Sequence, residues 1–340
     1  MQRLKTYVIL LICLAGVSVT HAQQKPQYTQ YMLNNLLINP AVSGIENYID
    51  IKAGYRSQWT GLEGAPVTSL LSFSAPLGHA FVGGDAAGMI PGADNPYSPE
   101  YRESYQAAGP HHGIGFNLVS DHIGYMQTNN FDASYAYHLG VSTNLNLALG
   151  VSAGMNNLAL DVSKITLQNP DDNLVRNLTN NPWKPDLGIG VWAYSADYYL
   201  GVSALQLLPQ QLSLATTNAA KPQNKIYPNV FFTAGYKFYL SEDVAFVPSA
   251  LVKELAPLPM SFDLNAKMAF GNRFWVGGSY RYQDSAAGLV GLNISSLINV
   301  SYSYDYTTSA LHSLNVNTHE IMIALMLNNR GKVICPRRTF

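Results

Sequence analysis

Apolar and polar residues alternate one by one through much of this chain. In 145-LNLALGVSA-153 the odd positions read Leu, Leu, Leu, Val, Ala and the even ones Asn, Ala, Gly, Ser. In 298-INVSYSYDYT-307 the even positions read Ile, Val, Tyr, Tyr, Tyr against Asn, Ser, Ser, Asp, Thr. In 262-FDLNAKMAF-270, Phe, Leu, Ala, Met and Phe alternate with Asp, Asn, Lys and Ala. A period of two makes a strand with two unlike faces. Strands of about 9–11 residues also cross a bilayer when tilted.

Fourteen segments fit this pattern, near 48–58, 66–76, 112–120, 126–138, 144–156, 185–194, 198–206, 228–240, 243–253, 260–270, 273–282, 286–295, 298–307 and 318–328. An even number of antiparallel strands closes with both ends of the sheet on one side. The predicted fold is therefore all-β, a transmembrane antiparallel β-barrel of about 14 strands over 48–329. If the chain starts in the periplasm at Gln23, the turns on that side are short: 139–143, 195–197, 241–242, 271–272 and 296–297. The long connections 157–184 and 207–227 then lie outside, as barrels of the outer membrane have them. Residues 78–111 break this rule and form an insertion, rich in Gly, Pro and Tyr, with contacts of its own. Residues 23–47 carry Tyr28, Tyr31, Met32, Leu36, Leu37 and Ile38 without strand periodicity. They are expected to be a short helix or coil that plugs the lumen or packs on the periplasmic rim.

Composition agrees with a barrel in lipid. Charged residues are 12% of the chain, about half the soluble norm. Tyr, at 22, and Gly, at 27, are abundant. Past residue 22 no apolar run approaches the ~20 residues of a membrane helix. Residues 1–22 read as a signal peptide: Arg3 and Lys5, an apolar stretch Tyr7 to Val19, then Thr20-His21-Ala22 before the cut. Ile12 before Cys13 argues against a lipoprotein. The processed chain keeps 18 basic and 21 acidic residues, a balance that points to no nucleic-acid partner. Cys335 is its one cysteine, so no internal disulfide is expected. The tail 330–340 ends in Phe340, an ending that suits outer-membrane assembly.

The densest chemistry is in 302-YSYDYTTSALHSLNVNTHEI-321, with Asp305, His312, His319 and Glu320. No G-x-S-x-G, H-E-x-x-H or phosphate-binding glycine loop is present, so no enzyme, cofactor or metal is expected. His111-His112 and 170-PDDN-173 read as loop residues rather than metal sites. Extending the alternation puts Asp50, Lys52, Arg56, Asp132, His138, Lys237, Asp263, Lys267, Arg281, Asp305 and Glu320 on the inner face. A charge facing lipid at mid-bilayer costs about 2–4 kcal/mol. Strand 14 closes the barrel against strand 1, so Arg56, Asp305 and Glu320 are expected to meet inside its outer end as a structural lumen network. His319 is expected to face outward. Two readings stay open from the residues alone: a protein-handling barrel, and an outer-membrane channel for small solutes.

The motifs also carry a resemblance. 27-QYTQYMLNNLLINPAVSG-44, with Gln30, Tyr31, Asn39 and Pro40, and 55-YRSQWTGLEGAP-66, with Trp59, Gly64 and Pro66, resemble the opening of the PorP/SprF family of type IX secretion outer-membrane proteins of Bacteroidota. So do 303-SYDYTTSAL-311, with Tyr304, 319-HEI-321, with His319, and Cys335-Pro336 with Phe340 at the end. The departures are the longer 78–111 link and Leu33-Asn34-Asn35, where the family commonly has Phe-Asn-Pro. The resemblance implies a non-enzymatic component of the Gram-negative outer membrane. It implies partnership with type IX secretion components, with a secreted cargo's C-terminal domain and with outer-membrane lipid. It implies export or surface anchoring of adhesin-like cargo and, in some species, gliding motility.

Overall fold

Fourteen strands pair in one unbroken antiparallel ring. The computed structural model describes residues 28–78, 95–161, 183–208, 210–211, 225–226, 228–255, 259–309 and 317–329. The wall strands are β1 Ile49–Ser57, β2 Val67–Leu77, β3 His111–Ile123, β4 Met126–Ser142, β5 Leu145–Leu160, β6 Lys184–Tyr194 and β7 Tyr198–Leu205. They continue as β8 Asn229–Tyr236, β9 Val244–Leu255, β10 Ser261–Phe270, β11 Phe274–Arg281, β12 Ser285–Asn293, β13 Ile298–Thr307 and β14 Asn317–Leu327. Each pairs with its neighbour in sequence, and β1 with β14 closes the ring with Arg56 opposite Glu320. A β-barrel has no free edge, and each wall strand has a paired strand on both sides.

Several limits differ from the sequence expectation. Strand β4 runs on to Ser142 through a register shift at Gly140/Ser142, so 139–143 is mostly strand and the turn is Thr143-Asn144. Strands β3 and β5 also outrun their expected ends, at Ile123 and Leu160. The segment 228–240 is interrupted at Lys237, whose amide donates to Asp197 O, before Phe238–Tyr239 re-pairs with β9; the inward–outward alternation runs on through it. The 1–22 signal, 170–173, His312 and the 330–340 tail lie outside the described residues.

The two faces of the wall differ as the alternation requires. Outward positions hold Leu149, Val151, Ile189, Leu200, Val202, Leu264, Val290 and Ile323, all exposed. Tyr280, Tyr302, Tyr304 and Tyr306 flank this band at one end, and Tyr137, Tyr198, Phe238 and Phe274 at the other. An aliphatic band between aromatic girdles is the outer face of a membrane barrel. Among the described wall strands, Glu254 is the one Asp, Glu, Lys or Arg of outward parity. Asp50, Lys52, Arg56, His138, Lys237, Asp263, Lys267, Arg281, Asp305 and Glu320 are all buried on the inside. Asp132 shares that face and is half-buried.

The interior is filled. Residues 28–48 cross the lumen as three short 3-10 turns, Thr29–Leu33, Asn35–Leu37 and Pro40–Val42. Tyr31, Met32, Ile38, Val42 and Ile45 form one core with Trp192, Tyr199, Leu251, Trp275 and Leu289 of the wall. The segment is a plug rather than a rim element. It also runs in an unexpected direction. Thr29 sits level with Arg56 near the top of β1, whereas Gly44 meets Ser74 and His111 at the opposite end, where β1 begins. The first described residue, Tyr28, is thus at the end away from the start of β1, not on the side assumed for Gln23.

The described part of the long β2–β3 link, 95–110, is ordered structure. It holds a single helix, α1 Pro99–Ser104, capped by Ser98, and lies across the mouth on the short-turn side.

Candidate functional site

At the end of the lumen where β1 finishes, wall and plug share a charge network. Arg56 comes from β1, Asp305 from β13 and Glu320 from β14, each on the inner parity of its strand. The Arg56 guanidinium donates from Nη1 to Glu320 Oε2 at 2.7 Å and from Nη2 to Asp305 Oδ2 at 2.8 Å. One guanidinium facing two carboxylates leaves acceptors to satisfy, and the plug supplies the donors. Thr29 donates its amide to Glu320 Oε2 at 3.0 Å and its hydroxyl to Asp305, and accepts from Arg56 Nη1 at 2.9 Å. Gln30 donates its amide to Glu320 Oε1 at 3.3 Å and its side chain to the Glu320 carbonyl at 2.9 Å. Ser301 of β13 donates to Gln30 Oε1. All five principal residues, Thr29, Gln30, Arg56, Asp305 and Glu320, are at most 3% exposed. Charge-assisted bonds in such a dry setting are strong where they are made, and within the network Arg56 Nε and Asp305 Oδ1 make none.

A second cluster adjoins it. Asp263 lies between Lys253 at 2.9 Å and Arg281 at 3.3 Å, and Arg281 also pairs with Asp284 at 3.0 Å. Arg281 reaches the Tyr28 carbonyl at 3.5 Å. Deeper in the lumen, the wall holds the plug backbone directly. Asn117 donates to Leu36 O, Ser203 to Ile38 O, and His138 Nε2 lies 2.8 Å from Ser43 O. Asn39 caps the third turn through Ala41 N and donates to Val191 O and Val202 O of β6 and β7.

The plug lies close because glycines make room. A Cβ on Gly150 would stand 2.3 Å from Ala41 N, and one on Gly113 would stand 1.9 Å from Ser43 O. No side chain fits there, so the backbones meet without one.

The motif residues gather at these contacts. Gln30 and Tyr31 touch Glu320 and Asn265, and Pro40 opens the turn that passes Gly150. Trp59, in the β1–β2 loop, has φ +50°, a value uncommon for an aromatic residue, and its amide donates to Thr318 Oγ1. Gly64 O accepts from Gly124 N, and Pro66 O accepts from Gln58 N. Tyr304 and His319 face outward with their rings 5.2 Å apart, and His319 Nδ1 is 2.7 Å from Tyr302 Oη. Glu320 and His319 thus project to opposite faces and share no ligand. His111 and His112 do likewise. Among the described residues no three His, Cys, Asp or Glu side chains cluster as a metal site would.

Thr29 and Ser301 complete the network but do not stand out in the sequence. Their hydroxyls matter only because the plug descends beside β13 and β14, and no local pattern announces that.

A family described as type IX secretion system membrane protein PorP/SprF matches residues 20–325. The chain belongs to the PorP/SprF family. As a PorP/SprF protein it is an outer-membrane component of the type IX secretion system. No curated protein matches it. Among solved structures it is similar to the Pseudomonas putida toluene transporter TodX, at TM-score 0.47 and 10% identity over 86% of this chain and 93% of that one. The Ralstonia pickettii toluene transporter TbuX gives 0.46 and 11% over 86% and 92%. Acinetobacter baumannii Omp33 gives 0.44 and 9% over 84% and 100%.

Proposed function

We propose that this PorP/SprF protein is a non-enzymatic holder that keeps the C-terminal domain of a particular adhesin-like secreted protein at the cell surface, supporting its export or anchoring and, through it, gliding motility. The observation that carries this reading is the filled lumen. Plug residues 28–48 meet buried wall side chains from Arg56 at one end to His111 at the other. A barrel so filled offers its partners a firm outer mouth rather than a conduit. We read Arg56, Asp305 and Glu320 as the structural clasp of that mouth, and the aliphatic band as its lipid contact. Residues 48–329 then act as one barrel domain with the described residues 28–47 as its plug. The rival reading, a channel for small solutes, requires a path past the plug.

Deleting the gene while following the large secreted proteins encoded beside it tests the proposal. Loss of surface display of one of them is expected. Unchanged export and display of all of them sinks it. Solute conductance of the purified barrel in planar bilayers would favour the channel.

A further inference from the structure

Two histidines that are cross-strand partners hold the inner end of the plug. His111 of β3 lies opposite His138 of β4. Their rings stack with centres 4.4 Å apart and planes within 4° of parallel, and both side chains are buried. His138 Nε2 lies 2.8 Å from Ser43 O, and His111 Nε2 lies 3.2 Å from Gly44 O. The stacked rings thus meet two successive carbonyls of the plug. Gly44, at φ +70°, lets the plug come this close, since a Cβ there would stand 2.4 Å from the Gly113 Cα.

The other two ring nitrogens have unlike partners. His138 Nδ1 is 3.1 Å from the Tyr194 hydroxyl, which donates or accepts. His111 Nδ1 is 2.8 Å from Gly109 O, which only accepts. A neutral imidazole has one N–H donor and one bare nitrogen. His138 is therefore satisfied when neutral: its Nε2–H donates to Ser43 O, and its Nδ1 accepts from Tyr194. His111 faces a carbonyl oxygen at each nitrogen, so only the protonated ring donates to both. Two imidazoliums with centres 4.4 Å apart in a dry site would repel, which limits the pair to one proton beyond neutrality. The other titratable groups on the elements packed around the pair are Tyr105 of the 95–110 segment, Tyr194 of β6, Glu46 of the plug and the Asp50–Lys52 ion pair of β1. The stretches of β2 and β5 beside the pair, 75–77 and 146–150, carry none, and His112 faces outward.

We propose that His111 and His138 form a proton-operated catch on the inner end of the plug, with a protonated His111 joining Gly44 to Gly109 and a neutral His138 holding Ser43. When His111 loses its proton it keeps one of its two bonds, and the bare nitrogen is left facing an oxygen. The plug is then tied less firmly to the chain that enters β3. When His138 gains a proton, two like charges face each other across the stack. The catch is closed with one proton on the pair and loosens on either side of that state, through a ring that alone is bonded to both the plug and the 95–110 segment. The inference does not depend on which cargo the outer mouth holds.

Nitrogen NMR of the full-length protein, labelled at its histidines and held in lipid nanodiscs, tests it. At about pH 6, near the ordinary histidine midpoint, His111 is expected to show two protonated ring nitrogens and His138 only a protonated Nε2. Loss of a signal in His111→Gln assigns the first ring, and a shift in the conservative Tyr194→Phe assigns the second. The thermal unfolding temperature supplies a second readout. In the unmodified protein it should fall as pH rises through the histidine range. His111→Gln keeps an amide that donates to Gly44 O but does not titrate, so it should flatten that fall. A neutral His111 at about pH 6 overturns the proposal, as does a pH profile that His111→Gln leaves unchanged.

Discussion

Arg56 Nη1 lies 2.7 Å from Glu320 Oε2 across the seam where the first strand meets the last. The pair joins the two ends of the wall, and Asp305 completes it from β13. Replacing Arg56 with Ala leaves two buried carboxylates facing each other with only Thr29 and Gln30 as donors. Removing one partner of a buried ion pair costs about 3–5 kcal/mol. The folded band of Arg56→Ala on a semi-native gel should unfold at a lower temperature than the parent's. A band of unchanged heat resistance would deny the clasp its structural role.

Asn39 offers a finer test of how the plug is held. Its amide group donates to two wall carbonyls, Val191 O and Val202 O. Asn39→Ala removes those bonds. Asn39→Asp keeps the shape but aims a carboxylate at two acceptors, so it should be the worse substitution by about 1–3 kcal/mol. Urea titrations of the two variants in the same detergent give the order directly; the reverse order would mean that Asn39 does not donate there.

Gly150→Ala should loosen the plug, because the added Cβ falls 2.3 Å from Ala41 N, a backbone atom that has nowhere to go. Overpacking of this kind costs about 1–3 kcal/mol. Gly288→Ala is the control, since nothing lies within 4 Å of the added carbon. Limited proteolysis within 28–48 should rise in the first variant only.

The outer wall makes its own prediction. Leu264 is 58% exposed in the aliphatic band. Leu264→Arg should destabilise the inserted barrel by about 2–4 kcal/mol, as a charge near the bilayer midplane does. Refolding yield into lipid vesicles would measure it, and a normal yield would place this face away from lipid.

Strand number and facing were legible in the sequence because a period of two is local information. Parity and strand order are also enough to bring Arg56, Asp305 and Glu320 to one inner wall. Thr29 and Gln30 are beyond that logic. They lie in 3-10 turns with no period to read, and their partners are about 290 residues away. The extension of β4 to Ser142 was hidden by Gly140 and Ser142, which look like turn residues but form an irregular strand end. The course of residues 95–110 was hidden for another reason. Its helix is six residues long, and Tyr97 is placed by Lys237 and Lys267, which are remote in the chain. Local propensity decides neither.

The plug precedes the whole wall in the chain, yet its first residues bind the last two strands. Thr29 and Gln30 have no acceptors to meet until β13 and β14 exist and β14 has paired with β1. A segment made before any of the wall is therefore among the last to find its place. A chain that stops short of Glu320 can build much of the wall but cannot fasten it, so the clasp reports, within the molecule itself, that the barrel has been finished.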